Sequence, residues 1–172
     1  MLYKLTDKDG KTRAGKHNEC QWGEGITHKA KGRGKKLCTD GVIHAYTHPL
    51  LAVFMDPIHD GYGDTARLWE AEGEVVADDG TKVGCKALTT ICEIPLPAVT
   101  TQQRARFGTL AAKTVCTDPA WNAWADAWLD GWVASMAVSA AQAGVAAAWA
   151  AACSSCPNFI AIAEEAVKGE TT

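Results

Sequence analysis

The sequence predicts an α+β fold, an antiparallel β-rich N-terminal half followed by a C-terminal bundle of three to four helices. Three observations carry this. Residues 66–76 and 81–94 read as strands joined by Asp78-Asp79-Gly80, a strong hairpin turn. Trp121, Trp124, Trp128 and Trp132 recur at helical spacing. At about 100° per residue their indoles fall within an arc of roughly 80°, with Asp126 and Asp130 on the other side. Residues 131–163 then carry no charged side chain at all. The division expected is a β-rich region over 1–97 and a helical region over 98–172 packed on it.

Each element has its own signal. Residues 2–5 alternate apolar and polar, Asp7-Lys8-Asp9-Gly10 makes a turn, and residues 11–14 return as a hairpin partner. Residues 15–36 are rich in glycine and lysine without periodicity, an extended loop with one short strand near 26–28. A short strand over 36–38 and the Asp40-Gly41 turn follow. His48 or Pro49 opens a brief helix with Leu50, Leu51, Val53 and Phe54 as its apolar contacts, and Pro57 ends it. Pro95 and Pro97 stop the sheet. Thr100 with Gln103 forms a capping-box pattern that opens a helix through about Val115. Asp118 caps the Trp helix and Pro119 suits its first turn, with a break expected at Gly144. Pro157 starts a last helix that Gly169 terminates.

Composition narrows the function classes. A chain of 172 residues that is 47% hydrophobic can bury a core, and disorder is not expected. Residues 1–40 hold ten Lys/Arg against five Asp/Glu, whereas the remainder holds seven against fifteen. A basic N-terminal third on an acidic body steers a partner electrostatically. Seven scattered cysteines and an opening broken by Lys4, Asp7, Lys8 and Asp9 point to reduced thiols in a cytoplasmic protein. The charge-free run is long enough to span a bilayer. Its alanine, glycine and serine content, with Gln142, Pro157 and Asn158 inside, favours a tightly packed helix and no membrane.

One region has a familiar pattern. It runs Cys38-Thr39-Asp40-Gly41-Val42-Ile43-His44-Ala45-Tyr46, then His48-Pro49-Leu50, then Leu68-Trp69-Glu70-Ala71-Glu72-Gly73-Glu74-Val75, then Lys82-Val83-Gly84-Cys85-Lys86-Ala87. Over residues 1–97 this resembles an uncharacterised domain family of bacteriophage and prophage proteins, also found at the front of some pentapeptide-repeat proteins. One residue is inserted between Gly41 and Ile43, and Tyr46 stands where that family commonly has cysteine. The resemblance implies a phage-type origin and no particular activity. The order of a glycine, an aromatic or histidine, a Pro-led helix and then strands is also similar to small ADP-ribosyltransferase-like domains. That likeness implies an NAD-using enzyme, active or degenerate; His28 or His44, Tyr46 and Glu74 imitate its His/Tyr/Glu set, at spacings that do not carry the roles over residue by residue.

The remaining constellations are weighed against plain readings. His44 and His48 share the i, i+4 spacing of a metal pair, but a strand or turn at His44 spoils the geometry. His17-x-x-Cys20 and Cys153-x-x-Cys156 are each half of a zinc pattern without a second half. No Walker pattern and no Ser/His/Asp arrangement is present, so neither catalytic residues nor a metal or cofactor is expected. Lys29, Lys31, Arg33, Lys35 and Lys36 place five cations in eight residues, enough to follow a phosphate backbone; a solvated mobile loop is the plain reading, and contact with a partner by this loop is kept beside it. Glu70, Glu72 and Glu74 alternate on one strand face, as a wet outer surface or an acidic recognition surface. The Trp stripe serves as core or as a homodimer interface. The resulting expectation is a phage or prophage accessory protein, cytoplasmic in the host, that acts by binding a host macromolecule, with counter-defence inhibition as one form of that role. The alternatives are the NAD-using enzyme and a nucleic-acid-binding protein working through the basic loop.

Overall fold

A computed structural model of the chain describes residues 1–130 and 157–168. The chain separates into two compact units, Met1–Pro97 and Ala98–Thr172. The α+β organisation read from the sequence is the one observed.

The first unit is built on antiparallel pairing. Its strands are β1 (Leu2–Thr6), β2 (Lys11–Thr12), β3 (Cys20–Gln21), β4 (Thr27–Lys29), β5 (Ile43–Ala45), β6 (Arg67–Glu72), β7 (Val75–Asp78), β8 (Val83–Cys85) and β9 (Ala87–Ile94). Four of them form a sheet in the order β1-β6-β9-β4, three another in the order β5-β8-β7, and β2 pairs with β3. Tyr3 and Tyr46 exchange both backbone hydrogen bonds at 2.8 Å, which ties the first strand to the end of β5. Helix α1 (Pro49–His59) starts at His48, whose imidazole accepts from the Leu50 N–H.

Four local expectations are corrected. Residues 11–14 do not pair with β1; Lys11 and Thr12 pair with Gln21 and Cys20, because the chain turns through Arg13 and Gly15 at positive φ. Residues 36–38 form no strand, since Cys38 takes a φ of 60° inside a turn. Pro57 does not end α1 but sits in its last turn. Its ring removes one helical N–H, and the Asp56 carbonyl closes the helix by accepting from Asp60 and Gly61. The two long strands over 66–76 and 81–94 are each divided, so that β6/β9 belongs to one sheet and β7/β8 to the other. Gly73 sits at that break, where a Cβ would lie 2.5 Å from the Ala87 carbonyl oxygen.

The core of this unit follows from the alternation. Leu2, Trp22, Ala45, Ala71, Val83, Cys85 and Leu88 form one buried cluster. Lys4 is two residues beyond Leu2 and therefore on the same face of β1. It is 8% exposed.

In the second unit α2 (Thr101–Lys113) opens with the full capping box, Thr100 accepting from the Gln103 N–H and Gln103 from the Thr100 N–H. Helix α3 (Pro119–Leu129) is capped by Asp118, which accepts from Ala120 and Trp121. Helix α4 (Phe159–Val167) is capped by Asn158. Phe107 of α2 meets Phe159 of α4 at 6.3 Å, and Arg106 donates to the Leu129 carbonyl at 3.0 Å. The break expected at Gly144 and most of the charge-free run lie outside the described residues. Among the described residues no helix is long and apolar enough to cross a membrane.

Candidate functional site

The basic segment is a fixed shape. Lys29 ends β4, and the loop that follows is fastened from behind. Ala30 donates to the Lys86 carbonyl and Gly32 to the Asp40 carbonyl, both at 2.8 Å. The Lys86 ammonium donates to the Gly41 carbonyl at 2.6 Å, and to the carbonyls of Gly32 and Gly34. Gly41 lies so close to Gly34 that any Cβ there would overlap the Gly34 carbonyl. Lys86 is thus spent on backbone acceptors. By contrast Lys29, Lys31, Arg33, Lys35 and Lys36 are all exposed, and none is ion-paired with another described residue.

Beside this loop lies a cleft of about 140 Å³. Lys4, Arg13, Lys29 and Lys31 bring four cations to its lining, against the carboxylates of Asp40 and Asp60. Trp22, Val42 and Ile43 supply apolar wall. Trp22 is itself pinned, its indole N–H donating to the Thr12 hydroxyl at 3.0 Å. The Lys4 ammonium stands 5.4 Å from the Trp22 ring centre and donates to the His44 carbonyl at 2.9 Å. An ammonium has three donors, so Lys4 keeps capacity beyond that bond. Burial lowers the Lys4 pKa, with Asp60 acting the other way.

His44 also lines the cleft. Burial, reinforced by Lys4 and Lys82, pushes its pKa down to about 4. The ring is therefore neutral, and its Nε2 accepts from the Cys38 N–H at 3.0 Å, which leaves the proton on Nδ1. Two non-glycine residues among those described have positive φ, Arg13 at 56° and Cys38 at 60°. Such residues store strain of order 1–3 kcal/mol each and concentrate where function holds them. Arg13 lines the cleft, and Cys38 is the residue whose N–H fixes His44.

A partly buried polar chain links Lys82 to Tyr46 through His59. The Lys82 ammonium donates to His59 Nε2 at 3.0 Å and pairs with Asp79 at 3.5 Å. The remaining ring proton of His59, on Nδ1, then donates to the Tyr46 hydroxyl at 2.9 Å. Burial, then Lys82, pushes the His59 pKa down to about 3. Burial raises that of Tyr46.

The structure thus brings Lys29 and Lys31 to the cleft and leaves Arg33, Lys35 and Lys36 along the exposed loop. Lys4, Arg13, Trp22 and Asp60 are site residues that the sequence reading missed. A lysine in phase with Leu2 on a strand was the signal for Lys4. Of His28, His44, Tyr46 and Glu74, only His44 lines this cleft. His28 is held by the Gln21 carbonyl and Tyr46 by His59. Glu74 falls in the break after β6, so it does not share a strand face with Glu70 and Glu72. Glu72 and Glu74 instead border a shallow hollow with Lys86 and Thr89. His48 is a helix cap. Among the described residues no three His, Cys, Asp or Glu side chains gather as metal ligands. Cys153, Cys156 and Trp132 lie outside them. The other Trp positions divide: Trp128 is buried, Trp121 half-buried and Trp124 37% exposed.

No family model, curated protein or solved structure matches this chain.

Proposed function

We propose that the protein is a phage-type accessory protein that acts by binding an acidic host protein through the face formed by the 29–36 loop. The observation that carries this is the fastened loop: Lys86 and the close Gly34–Gly41 approach tie down the backbone that carries five exposed cations, none of them ion-paired with another described residue. A preformed cationic surface loses little conformational freedom on binding and speeds encounter with a complementary partner. One feature favours protein over single-stranded nucleic acid. The segment has no aromatic side chain on which a base would stack, the usual companion of cations in single-strand binding. The cleft of about 140 Å³ is well under the roughly 300–1,000 Å³ of pockets that enclose a drug-sized ligand, which weighs against an NAD-using enzyme here. Inhibition of a host defence component is one form this binding takes in the proposal. Self-association through α3 is a separate proposal, supported by the exposure of Trp124.

The test is affinity capture from bacterial lysate with the natural chain and with a variant carrying alanine at Lys31, Arg33, Lys35 and Lys36. The reading expects a protein partner that survives nuclease treatment and is lost with the variant. Capture that nuclease abolishes moves the assignment to nucleic acid, and capture indifferent to the variant removes the loop from the account.

A further inference from the structure

We infer that the cleft beside the basic loop is a recognition site for a carboxylate carried on a short apolar stem, an acidic side chain or a chain-terminal carboxylate of the partner. This rests on the reading of the loop as a protein-binding face and adds the group that it selects.

Four observations converge. The cleft is small, and its lining pairs apolar wall from Trp22, Val42 and Ile43 with the cations Lys4 and Arg13. That combination suits a stem ending in a single negative charge better than a bare ion. Second, Lys4 is over nine-tenths buried, yet its hydrogen bond to the His44 carbonyl uses only one of three donors among the described residues. A buried charge is costly unless paired, and an entering carboxylate pairs it in a low-dielectric setting where the attraction is strong. Third, cations outnumber carboxylates in the lining, so the field inside favours an anion. Fourth, both strained non-glycine residues bear on this cleft. Arg13 lines it, and Cys38 orients His44. At Arg13, which is exposed, the positive φ turns the chain after β2 and also brings a second cation to the cleft lining, where a guanidinium fork matches a carboxylate bidentately.

The test is NMR titration of the full chain with three probes: N-acetylglutamic acid α-amide for the side-chain source, N-acetylalanine for the chain-terminal source, and inorganic phosphate. The expected result is a saturable shift of the Trp22 indole N–H and the Ile43 amide with one of the two carboxylates, and a weaker response to phosphate. Arg13→Gly should weaken that binding at least tenfold while melting higher than the natural chain, because glycine accepts the positive φ without strain. Lys4→Met, which keeps the stem, should abolish it. Phosphate binding more tightly than either carboxylate overturns the assignment, as do cleft resonances that no probe moves. So does an Arg13→Gly chain that melts lower or binds as before. Replacement of Lys35 and Lys36, which do not line the cleft, leaves the probe titration unchanged. A failed loop reading and a failed cleft reading are therefore told apart by which variant matters.

Discussion

At the scale of single residues, burial decides the protonation of two histidines. His44 and His59 have folded pKa values of about 4 and about 3, below the ordinary histidine value of about 6.5. The unfolded chain therefore takes up protons first as pH falls. Stability contributed by the two neutral rings is complete above about pH 6.5 and is lost as pH drops toward about 4 and then 3. Thermal unfolding followed across that window should show a flat Tm at the upper end and a steady decline below; a Tm that rises on acidification contradicts the assigned environments. Little of this was readable beforehand. His44 and His48 looked like a metal pair by spacing, whereas one fixes a turn and the other caps a helix. His59 carries no sequence signal, because the Lys82 and Tyr46 that hold it come from the residue before β8 and the residue after β5.

At the scale of elements, caps and turns were legible and strand division was not. Asp118, the Thr100/Gln103 box and the 78–80 turn act locally, so their residue types reveal them. The break at Gly73 depends on a close approach to Ala87, a contact across the hairpin that no local pattern encodes. Gly73→Ala should destabilise the first unit by about 1–3 kcal/mol, the ordinary cost of overpacking, as chemical denaturation would measure. An unchanged midpoint would mean that the hairpin absorbs the methyl group. The Trp stripe was read as one face, but the inward direction of α3 is set by Ala125 and Trp128. Trp124 lies at the edge of the arc and stays partly outside. Trp128→Ala should therefore cost about 3–5 kcal/mol, and Trp124→Ala clearly less, since Trp124 is 37% exposed and its ring contacts are with Trp121 and Trp128. Equal losses at both positions, or a change of molecular mass with Trp124→Ala, would instead favour the α3 interface.

At the scale of the whole molecule, charge asymmetry along the sequence is the part of the proposed binding face that was visible. Ten of the seventeen Lys/Arg residues lie in the first 40 positions. Composition alone gave no sign of what fastens their loop; Lys86, some fifty positions away, donates to its backbone carbonyls. The cleft was invisible for the same reason, since Lys4, Arg13, Trp22, Asp60 and the loop meet only after the strands pair. The most direct test of an acidic-protein face is fluorescence anisotropy with a labelled octaglutamate peptide and a single-stranded oligonucleotide of equal charge. The account predicts that the peptide binds more tightly than the oligonucleotide and that added salt weakens it. It also predicts about a tenfold loss or more when Lys31, Arg33, Lys35 and Lys36 become alanine, from roughly 0.4 kcal/mol per exposed pair. Tighter binding of the oligonucleotide, or peptide binding that the four substitutions leave intact, would contradict it.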